Sequence, residues 1–427
     1  MAVDRRPLDL PEGEVLSLTA PGGGSAFFEI TRQLGAGGAG VIYEAIDDDG
    51  NTAIVKGPRT VGEGGAEMRR ERNELERHDH PNLLKLLGFQ EDPRGHLLLC
   101  LERLFENPLM WLHTLAKQPG GPPDSGLSEP GVPAATALTL TYELALALQY
   151  LHGCGLTHMD VKPHNLMMAI DWPSGDPSPA DYLERLVEGR WRGVLIDLGG
   201  LLSREDVRAL NARKSRVDPQ LTPVYAPPEI LPGLDEPGGR VRRIFGQAAD
   251  IYAVGLTLTT LLTGQAPYAH LGRAPRGGSF EEVGNVKRAE RRGELRAYDA
   301  GLLDRIDLSD TALRCSQDEL RRELRGFVEI ITHLDPRRRG TADRLVERLG
   351  ALLGVRPVSL PDARALRRCH KESERTIRRY TTERVFLDPR RNRFTDSIQR
   401  LRGPKTRKPG QTRILKGGKD FWEQLGM

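Results

Sequence analysis

The spacing of apolar and polar positions changes period several times along the chain, and each change marks an element. Residues 27–31 (Phe-Phe-Glu-Ile-Thr) are aromatic and β-branched and predict a strand. A glycine-rich run over 34–40 follows, and Val41-Ile42-Tyr43-Glu44-Ala45 resumes the strand pattern. The turn Asp48-Asp49-Gly50-Asn51 leads into a strand over 52–56, which Pro58 should end early. A charged helix is expected over 67–78, closed by the turn His80-Pro81-Asn82, then strands over 83–89 and 96–101 and a connector, Glu102-Arg103-Leu104. From 140 to 151 apolar residues lie nearly all round the helical wheel, which predicts a buried helix. The Pro- and Gly-rich residues 1–25 are expected to be a flexible leader.

Composition narrows the class. At 427 residues the chain has room for a two-lobed domain and more, and 38% hydrophobic residues suffice for a core although aromatics are only 5%. Cys100, Cys154, Cys315 and Cys369 form no CxxC pair, which argues against a disulfide framework or zinc site and for a reducing, cytoplasmic setting. The start carries no apolar stretch of signal-peptide type, and no run approaches the ~20 apolar residues of a membrane span. The net charge of +3 is unevenly distributed: from residue 353 onward 20 Lys and Arg face 8 Asp and Glu, giving +12, while the rest holds 42 against 51, giving −9.

The chemistry is concentrated in His158-Met159-Asp160-Val161-Lys162-Pro163-His164-Asn165, followed by Asp197-Leu198-Gly199. An acid, a cation and a carboxamide at +0, +2 and +5, with a second acid beyond a strand-like run, are what phosphoryl transfer requires. One carboxylate orients a hydroxyl, an ammonium offsets charge on the moving group, and oxygen ligands hold Mg²⁺. Gly35, Gly37 and Gly40 lie between two strands and can let backbone amides approach phosphates closely. In dinucleotide-binding folds the same spacing opens a helix, whereas here a strand continues. Lys56 at the end of an apolar strand needs an acidic partner, and Glu71, nine residues before His80, is preferred over Glu67 and Glu74.

These motifs, in this order, resemble the eukaryotic-type (Hanks-type) protein serine/threonine kinase family from about residue 27 to 353. The match continues in Thr222-Pro223 with Pro227-Pro228-Glu229, in Asp250-Ile251-Tyr252-Ala253-Val254-Gly255 and in Asp335-Pro336-Arg337-Arg338-Arg339. The resemblance implies an α+β bilobal fold, with a small antiparallel β-sheet lobe (26–104) and a larger, mainly helical lobe (105–353); the basic extension (354–427) lies beyond the resemblance. It implies ATP and Mg²⁺ as cofactors and a protein as substrate. Gly35, Gly37 and Gly40 would cover the phosphates, and Lys56, held by Glu71, would contact them. Leu101 would guard the adenine pocket, with Glu102 and Leu104 offering backbone hydrogen bonds to the base. Asn165 and Asp197 would ligate the metal, Asp160 would orient the acceptor hydroxyl and Lys162 would stabilise the transferring group. Arg339 would pair with Glu229, and Asp250 would brace the catalytic loop. Lys162 at this spacing marks the Ser/Thr type.

Departures from the family pattern bear on control. Met159 stands where an arginine often pairs with a phosphorylated activation segment, so activity is not expected to require that phosphate. Ile54 replaces a small residue facing the adenine and narrows the pocket. Insertions at 171–192 and 231–246 read as loop decoration or as docking elements. The basic tail reads as solvated chain, as a contact for an acidic partner or nucleic acid, or as carrying an autophosphorylation or pseudosubstrate site at Thr395 or Ser397. Two readings compete with an active protein kinase: a pseudokinase scaffold, against which the complete residue set argues, and a small-molecule kinase, against which the peptide-positioning segment at 222–229 argues.

Overall fold

The computed structural model describes residues 8–37, 40–58, 65–91, 96–110, 131–170, 172, 179–189, 191–212, 214, 219, 221–230, 245–272, 280–308 and 316–353. The small lobe is built from β1 (Val15–Thr19), β2 (Ser25–Gly37), β3 (Gly40–Ile46), β4 (Thr52–Gly57), helix α1 (Gly65–Arg77), β5 (Leu86–Glu91) and β6 (Leu97–Glu102). All its strand pairings are antiparallel, and the order β1-β2-β3-β4-β6-β5 closes on itself through Thr19 against Phe89. As expected, β4 stops at Gly57, immediately before Pro58.

The first strand corrects the expected leader. From residue 8 onward this segment is part of the lobe: Leu8, Leu10, Leu16 and Leu18 are buried with Phe28, Ile30 and Tyr43. The Tyr43 hydroxyl donates to the Leu8 carbonyl and accepts from the Leu10 amide, both at 3.3 Å. The cause is a short period-two pattern, Val15-Leu16-Ser17-Leu18-Thr19, which turns two leucines inward and leaves their neighbours in solvent. Leu18 is 1% exposed. Leu18→Ala is therefore expected to cost about 2–5 kcal/mol in chemical denaturation, whereas Val15→Ala, at a residue 61% exposed, should be close to neutral.

The large lobe starts with β7 (Phe105–Glu106), which pairs with β9 (Leu166–Ile170); β9 pairs in turn with β10 (Trp191–Leu195). Its centre is α2 (Ala134–Gly153), longer than the expected 140–151 and buried on almost every side. Between α2 and β9 lies β8 (Leu156–Thr157). Helix α3 (Pro179–Glu188) comes from the first insertion and packs inward: Tyr182 is fully buried and its hydroxyl donates to the Glu106 carbonyl at 2.6 Å. Strand β11 (Leu202–Ser203) pairs with β8 and runs into α4 (Arg204–Asn211), started by a reciprocal cap between Ser203 and Asp206. The apolar α5 (Gln247–Thr263) crosses the lobe with α6 (Phe280–Arg291), α7 (Ala300–Leu303) and α8 (Gln317–Ile331) against it, while α9 (Ala342–Leu353) packs on α2. Residues 231–244 of the second insertion and the whole extension from 354, with Thr395 and Ser397, lie outside the described residues. No described helix is long and apolar enough to cross a membrane.

Candidate active site

The site lies where the two lobes meet, and each lobe contributes through the end of an element. Lys56, on β4, extends its ammonium to Glu71 on α1 at 2.7 Å. Glu67 and Glu74 are not the partner; Glu74 lies 3.3 Å from His78 instead. Gly37 and Gly40 face each other across the β2–β3 hairpin. Gly40 has φ +109°, and a side chain there would strike the Gly57 carbonyl, so only glycine fits. Gly35 faces open space.

The catalytic loop is held by Asp250, which is fully buried on α5. Its carboxylate accepts from the amides of His158 (2.9 Å) and Met159 (2.7 Å) and bonds His152 Nε2 at 2.8 Å. Those bonds hold Met159 at φ +71°, a left-handed conformation that a side chain adopts only when its surroundings impose it. Asp160 follows. Its Oδ2 accepts from Lys162 Nζ at 2.7 Å and Asn165 Nδ2 at 3.1 Å, and Lys162 also donates to the Thr222 hydroxyl at 2.8 Å. Asp160 Oδ1 is buried and receives no hydrogen bond among the described residues. Burial would raise the Asp160 pKa, but the Lys162 ammonium, with the Thr222 hydroxyl beside it, holds the carboxyl below its ordinary range.

Asp197 is brought to Asn165 by the backbone. The Ile196 amide donates to the Asn165 carbonyl at 2.9 Å, and the Ile196 carbonyl lies 3.0 Å from His158 Nε2. Asp197 itself is left-handed, at φ +64° and ψ +61°, which turns the chain sharply after β10. Gly199 then passes against α1, where an added methyl group would lie 3.5 Å from Glu71 Cβ. Asp160, Lys162 and Asn165 thus form one hydrogen-bonded group, with Asp197 beside it along the backbone, and Lys56 with Glu71 forms a second group against which Gly199 passes.

At the connector, Leu101 on β6 pairs with Ile54 on β4, and both pack in the large core cluster with Leu104. Glu102 accepts from the Lys85 amide at 2.9 Å and from the Arg192 guanidinium, which also donates to the Pro81 carbonyl. Burial pushes the Glu102 carboxyl above its ordinary range despite Arg192. Arg103 forms an ion pair with the buried Glu44 of β3, tying the connector to the small lobe. Sequence reading missed these partners, as it missed Asn107, whose side chain reaches the catalytic loop. The available signal at Asn107 was an Asn-Pro pair opening a helical turn.

Residues 28–349 match the model of the protein kinase domain. The chain belongs to the protein kinase family. It is 25% identical over 336 residues to Aurora/IPL1-related protein kinase 2 of Caenorhabditis elegans, covering 75% of this chain and 91% of that protein. It is 29% identical over 266 residues to the serine/threonine-protein kinase PknJ of Mycobacterium tuberculosis, covering 58% of this chain. A protein kinase and PP2C-like domain-containing protein of Arabidopsis thaliana is 27% identical over 249 residues, covering 57% of this chain. This kinase spans 36% and 32% of the lengths of the last two. As for its family, ATP is the phosphoryl donor and a protein the acceptor.

Proposed function

We propose that this kinase transfers the γ-phosphoryl group of Mg·ATP to serine and threonine hydroxyls of proteins, using the six residues that meet between the lobes. The observation that carries the reading is Asp160: one carboxylate oxygen is held by Lys162 and Asn165, and the other is buried without a hydrogen bond among the described residues. An acceptor hydroxyl brought against this carboxylate has a base for the proton it gives up. Lys162 lies between Asp160 and Thr222, where its charge can stabilise the group in flight. Lys56, oriented by Glu71, steadies the donor phosphates. Gly35, Gly37 and Gly40 cover them, and the backbone of Glu102 and Leu104 receives the base beside Leu101.

Asn165 and Asp197 suit Mg²⁺, since a carboxamide and a carboxylate are hard oxygen donors and phosphates supply further ligands. The Asn165 Nδ2 is committed to Asp160, which leaves its Oδ1 as the ligating end. Bound there, the ion neutralises phosphate charge. Thr222 on Lys162 gives the site the serine/threonine character of its named relatives. A cytoplasmic location fits the scattered cysteines and the ATP requirement.

The test is transfer of labelled phosphate from Mg·ATP to Ser- and Thr-containing peptides, with Lys56→Met alongside. Labelled serine or threonine is expected, with Lys56→Met slower by about 10²–10³-fold, the usual loss of a charge-stabilising donor. Failure of the purified protein to bind Mg·ATP would overturn the reading in favour of a scaffold.

A further inference from the structure

Asn107 follows β7 at the far end of the connector and is 1% exposed. Its carboxamide is almost fully committed. Nδ2 donates to the Pro163 carbonyl at 2.6 Å and to the Leu166 carbonyl at 2.7 Å, while Oδ1 accepts from the Met110 amide at 3.2 Å. A carboxamide offers two donors and two acceptor sites, so three of four are used.

The two carbonyls bracket the short turn Pro163–Asn165, which presents Asn165 and begins next to Lys162. That turn has weak internal support: the Asn165 amide donates to the Lys162 carbonyl at 3.0 Å, and the Leu166 amide returns to Pro163. Asn107 holds both ends from outside. Because β7 pairs with β9 through Phe105–Met168 and Glu106–Met167, Asn107 moves with the strand that leaves the turn. Among the described residues its carboxamide bonds only backbone groups, so its role is positional rather than catalytic. It can set where Asn165 and, through Asn165 Nδ2, Asp160 stand.

We infer that Asn107 is a positioning residue for phosphoryl transfer, a clamp that joins the end of the nucleotide-binding connector to the metal-ligand turn of the catalytic loop. This rests on the roles proposed for Asn165 and Asp160. Small displacements of reacting groups are costly, since about 1 Å can lose 10²-fold in rate. Losing the clamp therefore weakens turnover more than nucleotide binding.

Two variants separate the clamp from simple capping. Asn107→Ser keeps an acceptor for the Met110 amide, the job of a helix cap, but is too short and has the wrong donors for both carbonyls. Asn107→Asp keeps size and acceptor but turns an oxygen toward those carbonyls. Both are expected to melt as folded proteins and to lower kcat by about 10–100-fold, with the KM for ATP within about 3-fold and the Mg²⁺ needed for half-maximal rate raised several-fold. The pH profile is the sharper readout. A carboxyl facing two carbonyls has a raised pKa and, once protonated, regains one donor. The ratio of Asn107→Asp to wild-type activity should therefore rise as pH falls toward about 5.5.

A kcat within about 2-fold of wild type in folded Asn107→Ser, a loss confined to the KM for ATP, or a flat activity ratio for Asn107→Asp would each overturn the inference. If Asn107→Ser does not fold, the pH ratio of Asn107→Asp decides alone. Asp160→Asn run in parallel distinguishes the two levels. If the wild type and Asp160→Asn transfer equally, the site reading has failed; if Asp160→Asn is inactive and the Asn107 variants are not impaired, only the clamp has failed.

Discussion

Asp160→Asn should lower kcat by about 10²–10⁴-fold, the range expected when a positioned general base is lost, while the protein stays folded and binds Mg·ATP. The asparagine can still accept from Lys162 through its oxygen, so packing around the loop changes little. Its amide nitrogen, however, donates where the acceptor hydroxyl needs a base. The charge facing Lys162 is also lost, and with it part of the arrangement linking Lys162 to Thr222. Because Lys162 holds Asp160 below the ordinary carboxylate range, the wild-type residue is ionised throughout the neutral region. Its kcat/KM profile, which reports the free enzyme, should therefore show no acid limb from Asp160 above about pH 5. The same lowered pKa is a stability contribution: it is fully present above the unfolded carboxyl value and is lost as pH falls through the folded one. Steady-state kcat and the KM for ATP, measured on both proteins from pH 5 to 9, check all of this. Wild-type turnover in the variant would remove Asp160 from the mechanism.

Met159 supplies the complementary point about control. In place of a cation, the structure puts a buried thioether among Leu202, Ala226, Ile230, Phe245, Ala249 and Val283, with Val207 and Leu210 of α4 packed on the cluster. Asn211, the last residue of α4, exchanges two hydrogen bonds with the Phe245 backbone, at 2.8 and 3.1 Å. Dispersion and burial thus hold the described part of this segment against the loop, where an arginine would need a phosphate. The Lys56–Glu71 pair is formed alongside this packing.

What could be read in the sequence and what could not divides along a physical line. Lys56, Asp160, Lys162, Asn165 and Asp197 were legible because chemistry demands particular side chains at fixed spacings. Glu71 was legible because helix α1 limits the choice to four acids, of which Glu71 is the one that meets Lys56 of β4. Buried helix α2 betrayed itself by apolar residues on every side. Strand β1 escaped because its alternation lasts five residues among prolines and glycines, too short for period to outweigh composition. Helix α3 lies in an insertion that reads as loop decoration or a docking element, and its inward docking depends on Tyr182 finding the Glu106 carbonyl across the fold. Arg103 with Glu44 and Asn107 with Pro163 lie 59 and 56 residues apart, and contacts over such separations leave no local pattern in a single sequence.

Arg339→Ala should be the most destabilising single change in the large lobe, with an expected cost of about 3–5 kcal/mol against a total stability of roughly 5–15 kcal/mol for a domain. The Arg339 side chain is fully buried and forms a double hydrogen bond with Glu229, at 2.5 and 2.9 Å. It also donates to the carbonyls of His333 (2.6 Å), Ala248 (3.1 Å) and Leu334 (3.3 Å), and lies 4.9 Å from the centre of the Tyr252 ring. Removing it strands a buried carboxylate and three carbonyls. Nearby Lys287, whose pKa burial lowers, already occupies Glu290 and cannot replace it. Arg339→Lys should recover only part of the loss, because one ammonium cannot reproduce a planar fork of donors. The double variant Arg339→Met with Glu229→Gln should be more stable than Arg339→Met alone, since no charge is then left unpaired. It should still transfer phosphate poorly, because Glu229 anchors the end of the segment that carries Thr222. Urea denaturation midpoints and peptide phosphorylation on the set test both parts. An Arg339→Ala protein within about 1 kcal/mol of wild type, at the level of an exposed ion pair, would show that this buried pair does not hold the lobe together.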